Sequence, residues 1–186
     1  MNFAALIYHR EAFLDGQWWL PFTAQLMHFN ARHVLANGVG AILLCVLFRP
    51  CLGWWPQSVI VAGSAVGVAL VLVLDVDCRY YAGASGALHG WAVGAAVCML
   101  SGRPTVANHP RSLPSSGTFS ARVVAWALLC GAVLKVLWTT LSPQTSMPMG
   151  FPVYAPAHWA GAIGGLSAGL GWVAVHAWVA QPAQPE

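Results

Sequence analysis

Five apolar stretches follow one another along the chain, and each is bounded by polar, proline or glycine-rich residues. They cover residues 33–48, 58–74, 85–100, 121–141 and 158–179. A membrane-spanning helix needs about 20 mainly apolar residues. In lipid only helices and closed barrels satisfy the backbone, and runs this continuous lack the alternation of a barrel strand. The pattern therefore predicts an all-α, polytopic membrane helical bundle with five apparent spans.

Composition supports the same class of protein. The chain has 186 residues, of which 58% are apolar and 7% are charged. A soluble domain carries about 25% charged residues, so this chain lacks the polar shell of a soluble fold. Disorder is excluded too, because it requires low hydrophobicity and high charge. The length allows five or six helices with short loops.

The segments between the stretches suggest one domain over residues 1–186. Residues 1–32 form an outer loop with an amphipathic character, 33–179 the helical bundle and 180–186 a tail. No basic region precedes the short apolar start, so we expect no cleavable signal peptide. Residues 102–120 read as a flexible polar connection. Residues 142–157 read as a mobile apolar loop and a candidate gate for substrate.

Basic residues suggest an orientation, because cytoplasmic loops are enriched in Lys and Arg. One side holds four arginines and the other three: Arg49, Arg103, Arg111 and Arg122 against Arg10, Arg32 and Arg79. The narrow excess favours a cytoplasmic face for the 49–57 and 102–120 loops. The chain has no cluster of Lys and Arg, so no nucleic-acid partner is expected.

Cysteines and histidines give little support for a metal or cofactor. The five cysteines form no CxxC pair and indicate neither a disulfide framework nor a zinc site. A zinc site built from four histidines (His28, His33, His89 and His158) is an open alternative. It lacks an HExxH motif and a nearby carboxylate. We expect no metal and no cofactor.

Polar residues inside a membrane are functional hypotheses by default. Ser85 opens the third stretch, and Gly83 and Gly86 on either side let a backbone approach it closely. A helix N-terminus there would stabilise an oxyanion. The alternative is a serine that only caps the helix.

Two glycine ladders suggest a partner for Ser85. Gly86, Gly90 and Gly94 follow Ser85 at intervals of four, and Gly161, Gly165 and Gly169 follow His158 in the same way. Small residues at this spacing let two membrane helices pack closely. The ladders would bring Ser85 and His158 together as a Ser–His dyad. The alternative is that both ladders serve packing alone.

Three polar residues at the start of the first stretch complete this candidate site. His33 and Asn37 share a helix face and can donate hydrogen bonds, so they suit an oxyanion hole together with the Ser85 N–H. His28 lies just before them. The alternative is a polar helix start with satisfied hydrogen bonds.

These motifs, in this order, resemble the rhomboid intramembrane serine proteases over about residues 15–175. The quoted residues are His28-x4-His33-x3-Asn37, Gly83-Ala84-Ser85-Gly86 and Ala157-His158-Trp159-Ala160-Gly161. The resemblance implies that Ser85 is the nucleophile and His158 the base. It also implies an oxyanion hole of His33, Asn37 and the Ser85 N–H, with His28 in support.

The extended motif Gly83-x-Ser85-Gly86-x-Leu88-His89-Gly90 is similar to the rhombosortase subfamily. That resemblance implies membrane-anchored substrates with a C-terminal Gly-Gly motif, a hydrophobic helix and a basic end, exported by Gram-negative bacteria. It implies a location in the bacterial inner membrane, with the site open to the periplasm. We interpret His89 as a packing or substrate-contact residue, and the rival interpretation makes it the base.

Two features depart from the family pattern. Only residues 1–8 precede the first loop, so we expect the usual first helix of six to be missing. Trp18-Trp19-Leu20 stands where a Trp-Arg pair is common. The competing function is a catalytically inactive rhomboid-like protein that binds or retains membrane clients.

Overall fold

The computed structural model describes residues 3–101, 115–141 and 153–179. Seven α-helices and one pair of short strands lie in these ranges: β1 (Tyr8–His9), α1 (Arg10–Leu14), α2 (Leu20–Thr23), α3 (Ala31–Phe48), α4 (Trp54–Leu74), β2 (Tyr80–Tyr81), α5 (Ser85–Leu100), α6 (Ser115–Leu141) and α7 (Ala155–Val179). Short 3₁₀ turns cover Phe3–Leu6 and Ala24–Leu26. Four of the helices, α3, α4, α6 and α7, are long and apolar enough to cross a membrane. The predicted helical membrane bundle is confirmed.

The four long helices begin before their apolar stretches. α3 begins at Ala31, α4 at Trp54, α6 at Ser115 and α7 at Ala155. The first-turn N–H groups of a helix have no intrahelical partner, so Pro56 and Pro156 fit there. The prediction of a loop over residues 102–120 is therefore wrong for 115–120. The rest of that loop, residues 142–152 of the predicted gate and the 180–186 tail lie outside the described residues.

Helices α4, α5 and α7 form the tightly packed centre of the bundle. A Cβ atom added to Gly90 would lie 2.1 Å from the Gly161 carbonyl oxygen, and one added to Gly165 would lie 2.0 Å from that of Gly90. On the next face of α7, a Cβ on Gly67 would lie 2.3 Å from the Ala160 carbonyl oxygen. Backbone touches backbone at these points, so only glycine fits.

Helices α3 and α6 lie at the edge of this centre. α3 contacts mainly α5, and its few buried residues are His33, Asn37 and Phe48. α6 also packs mainly on α5. Trp159 joins α7 to the end of α6, because its indole N–H donates to the Thr140 hydroxyl at 2.9 Å. The two outer helices thus flank one face of α5.

The N-terminal segment closes what we call the upper end of the bundle, formed by the starts of α3, α5 and α7 and the ends of α4 and α6. β1 pairs antiparallel with β2, just before α5. The buried Tyr8 hydroxyl donates to the Leu72 carbonyl at 2.7 Å. The Gly83 N–H donates to the Ala24 carbonyl at 3.0 Å. These bonds attach the segment to α4 and to the turn that leads into α5.

A polar contact connects the end of α4 with the start of α7. The Tyr154 hydroxyl donates to the Asp75 carboxylate, and the Arg10 guanidinium donates to the Asp75 carbonyl at 2.8 Å. The hydrogen bond from Tyr154 lowers the pKa of Asp75. Burial, and then the same bond, raises the pKa of Tyr154. Since Tyr154 directly precedes α7, this contact anchors the start of that helix.

The glycine contacts predict a large effect from one methyl group. Gly165→Ala should destabilise the fold by about 1–3 kcal/mol or more, because the added Cβ meets the α5 backbone. Gly171→Ala is the matched control, since a Cβ at Gly171 meets nothing within 4 Å. Thermal unfolding of the purified proteins in detergent measures both. Equal midpoints for the two variants would contradict the packing described here.

The Asp75–Tyr154 contact predicts a pH dependence of stability. The pKa of Asp75 is lower in the folded protein than in the unfolded chain. The ionised carboxylate therefore adds to the free energy of unfolding at pH values above the unfolded aspartate pKa of about 3.9. This stabilisation is lost as the pH falls through the folded-state pKa. Asp75→Asn should therefore lower the unfolding midpoint at pH 7, and its difference from the native protein should shrink in acid. Tyr154→Phe should lower the midpoint in the same way. The two changes remove the same contact, so the double variant should be no less stable than either single variant.

The control for this pair is Asp77→Asn, which changes an exposed carboxylate two residues further along. It should leave the midpoint nearly unchanged at both pH values. Parallel midpoint curves for the native protein and Asp75→Asn between pH 7 and acid would show that the contact does not act as described.

Candidate active site

Ser85 is the first residue of α5, and a short turn sets its position. Gly83 has a φ of 131°, in the left-handed region that favours glycine. The buried Tyr81 hydroxyl donates to the Gly83 carbonyl at 2.9 Å, and burial raises the pKa of Tyr81, so the hydroxyl stays protonated. The chain thus turns sharply and starts α5 with the Ser85 side chain free of a capping role, since α5 has no side-chain cap.

The Ser85 hydroxyl contacts the imidazole of His158 across two helices. Ser85 Oγ lies 3.0 Å from His158 Nε2, although 73 residues separate them in sequence. When the hydroxyl donates, Nε2 is the acceptor and the proton of the neutral ring is on Nδ1. His158 is 3% exposed. Within the described residues His158 Nδ1 has no hydrogen-bond partner, so no carboxylate orients the ring.

The predicted contact between the two glycine ladders is confirmed, and it explains this meeting. Gly86 of α5 lies against Ala157 and Gly161 of α7, and Gly94 lies against Gly165 and Gly169. The two helices therefore run parallel in a fixed register. Ser85 begins one ladder and His158 the other, so the register brings their side chains to the same depth.

His33 and Asn37 of α3 lie close to the Gly83 turn. They are 7% and 8% exposed, on a helix whose other residues are mostly exposed. A Cβ added to Gly83 would lie 2.5 Å from His33 Cε1 and 3.6 Å from Asn37 Nδ2. Both side chains thus reach the turn that carries Ser85. Within the described residues the buried Asn37 Nδ2 has no hydrogen-bond partner.

His28 packs behind this pair. Its ring lies edge-on to that of His33, with ring centroids 4.8 Å apart. Burial lowers the pKa of His28, so the ring is neutral near pH 7. His28 therefore contacts His33, and its supporting role stays a prediction.

His89 contacts both Ser85 and His158, but its contact with Ser85 is to the backbone carbonyl and not to the hydroxyl. Its Nδ1 lies 2.7 Å from the Ser85 carbonyl oxygen, which only accepts, so Nδ1 carries the proton. Its ring stacks on the His158 ring, with centroids 4.3 Å apart and planes at 21°. His89 thus holds the flat face of the His158 imidazole, while its own contact is with the Ser85 backbone.

A cavity of about 870 Å³ opens beside these residues, between α3, α5 and α6. Its walls are mainly apolar, and its polar lining comes from a few side chains, Ser85, His33, Asn37, His89, His158, Lys135 and Thr139 among them. Within the described part of the chain, no three His, Cys, Asp or Glu side chains are placed to hold a metal ion. The cavity is large enough for an extended segment of peptide.

Sequence reasoning missed three features that build this site. Gly63 and Gly67 of α4 contact Gly164 of α7, and their spacing of four residues was a readable signal. Tyr81 holds the Gly83 turn, and no local pattern reveals that long-range geometry. The bond between Asp75 and Tyr154 likewise joins residues 79 apart in sequence.

Comparison with known proteins gives a single result. No curated protein and no solved structure matches the chain. A family model described as the Rhomboid domain matches residues 15–175. That range contains all the residues of the site described above. The chain therefore belongs to the rhomboid family of intramembrane proteases.

Proposed function

We propose that the chain is an intramembrane serine endopeptidase with Ser85 as nucleophile and His158 as general base. The observation that carries the proposal is the 3.0 Å contact between Ser85 Oγ and His158 Nε2 at the wall of an apolar cavity. A serine hydroxyl is a weak nucleophile unless a base takes its proton. An imidazole nitrogen at hydrogen-bond distance meets that requirement.

The reaction takes place below the membrane surface. α5 has 16 residues and is about 24 Å long, shorter than the hydrocarbon core of about 30 Å. Its start, with Ser85, therefore lies about one helical turn inside the core when its other end is at the opposite face. The polar groups of the cavity supply the environment that water and a peptide bond need at that depth.

In the first step His158 Nε2 takes the proton of Ser85 Oγ as Oγ attacks the scissile carbonyl carbon. The oxyanion that forms is stabilised by the Ser85 N–H, which is unpaired at the helix N-terminus, and by Asn37 Nδ2 and His33. His158 then gives its proton to the leaving amine, and the peptide C–N bond breaks. Water, activated in the same way, releases the acyl group from Ser85.

His158 acts without a carboxylate, so the pair is a dyad. The stacked His89 ring limits rotation of the His158 ring and keeps Nε2 directed at Ser85. His89 is thus a positioning residue. Its Nδ1 is bound to the Ser85 carbonyl and does not face the Ser85 hydroxyl.

The proposed substrate follows from the motif that includes His89 and from the depth of the site. A helical substrate must unwind before its carbonyl can reach Ser85, and glycine favours unwinding by about 1 kcal/mol relative to alanine. A Gly-Gly motif ahead of a hydrophobic C-terminal helix meets this need. We propose rhombosortase-like cleavage of such tails on exported proteins.

In this proposal the chain forms a single membrane domain, which lies in the bacterial inner membrane. One side of the chain holds four arginines, with Arg122 of α6 counted, and the other side holds three. This narrow excess supports an orientation with the upper end, and Ser85, toward the periplasm. Exported substrates reach the enzyme from that side.

Ser85→Ala and His158→Ala should each reduce cleavage of a co-expressed Gly-Gly-tailed membrane protein by about 10³-fold or more, because each removes half of the dyad. The matched controls are Ser167→Ala and His176→Ala, which change a serine and a histidine exposed on α7. Immunoblots of substrate and product measure cleavage. Equal cleavage by Ser85→Ala and the native protein would favour a client-binding protein instead of a protease.

Two variants of His89 separate positioning from base catalysis. His89→Phe retains a flat ring against His158 and should keep activity within about tenfold, whereas His89→Ala should lose more, to about 10²-fold, as the base becomes misplaced. A loss with His89→Phe as large as that with His158→Ala would make His89 the base and refute its positioning role.

A further inference from the structure

Lys135 is the only lysine in the chain, and it lies inside a membrane-spanning helix. It stands in the last two turns of α6, on the part of the helix that reaches the upper end. A charged side chain within a membrane is costly and marks a functional position by default. The role proposed above for the Ser85–His158 dyad does not use this residue.

The side chain of Lys135 lines the same cavity as Ser85, His89 and His158. The Lys135 side chain and both imidazoles thus face one shared space. No Asp or Glu is among the described residues that line the cavity. A cation thus lines the same apolar cavity as Ser85 and His158, and none of the described lining residues brings a carboxylate to it.

None of the acidic residues in the described ranges lines this cavity. Asp75 accepts from Tyr154 at the upper end, and Glu11 pairs with Arg79. The full set is Glu11, Asp15, Asp75, Asp77 and Glu186. Lys135 forms no ion pair with any residue in the described ranges. Lys135 is therefore without a carboxylate partner among the described residues, and an anionic ligand in the cavity would neutralise it.

We propose that Lys135 binds the carboxylate that hydrolysis creates at the new C-terminus of the cleaved protein. This inference rests on the proposed function. Water attacks the carbonyl carbon of the ester, the bond to Ser85 Oγ breaks, and Oγ regains a proton from His158. The acid released gives its remaining proton to water, so a carboxylate forms where no anion was present. A hydrogen bond between an ammonium and a carboxylate is among the stronger ones.

The contact with Lys135 should slow the release of the product and orient its new C-terminus. The carboxylate arises at Ser85, and the Lys135 ammonium lies in the same cavity. An uncleaved peptide offers only a neutral carbonyl at that point. Lys135 thus distinguishes the product from the substrate by charge, and the enzyme should be inhibited by peptides that end in a free carboxylate.

The single lysine allows a direct test that does not depend on turnover. Reductive methylation with ¹³C-formaldehyde labels Lys135 and the N-terminal amine of the native protein, and the Lys135→Arg variant assigns the two signals. The protein is studied in nanodiscs of phosphatidylcholine. A short peptide ending in Gly-Gly carboxylate should shift the Lys135 signal, and the same peptide with a C-terminal amide should not.

Three outcomes of that experiment would overturn the inference. They are equal shifts with both peptides, no shift with either peptide, and a shift caused by phosphatidylglycerol in the nanodisc in place of the peptide. The last would identify an anionic lipid as the ligand. If the Lys135 side chain instead extends along α6 to the membrane surface, neither peptide should shift its signal.

Kinetics provide the second test. The carboxylate peptide should inhibit cleavage about tenfold more strongly than the amide, as expected for one charge-assisted hydrogen bond. Lys135→Met should reduce this ratio to about one, Lys135→Arg should retain most of it, and Arg122→Met, a cation at the other end of α6, should leave it unchanged. A ratio that survives in Lys135→Met would refute the inference.

The two tests separate this inference from the proposed function. If the native protein cleaves substrate but both peptides inhibit equally, the protease function stands and the role of Lys135 falls. If the native protein cleaves nothing and the carboxylate peptide still shifts the Lys135 signal, the binding site stands and the protease function falls.

Discussion

The site depends on one interaction, the contact of backbone with backbone between α5 and α7. At Gly90, Gly161 and Gly165 a carbonyl oxygen of one helix occupies the space in which a Cβ of the other would lie. A contact this close has little freedom to slide or rotate. Because Ser85 and His158 lie at the starts of the two helices, the register of the glycines also sets the distance between their side chains.

The five longer helices divide into a tightly packed group and a looser group. α4 packs on α7 through Gly63 and Gly67, so that α4, α5 and α7 form one tightly packed unit. α3 and α6 contact α5 less extensively and leave the cavity between them. The contact between Ser85 and His158 is thus held by the packed unit, while α3 and α6 add Asn37 and Lys135 to the cavity from the looser side.

The upper end is closed by polar contacts instead of glycine packing. The N-terminal segment is bound to α4 through Tyr8, and the turn at Gly83 is bound to Ala24 and Tyr81. The pair Asp75 and Tyr154 holds the start of α7. The bonds of Tyr8 and Tyr81 are buried, and together these contacts fix the starts of α5 and α7, where Ser85 and His158 lie.

The amino-acid sequence by itself determined the class of fold and the set of polar residues that meet. Continuous apolar stretches define helices because lipid leaves the backbone no other partner, and a spacing of four places the glycines on one face of each helix. Tertiary structure alone decided which nitrogen of His158 meets Ser85, that His89 stacks on His158, and that Lys135 faces the cavity. These features depend on how helices distant in sequence are rotated against one another, and no local spacing encodes that rotation.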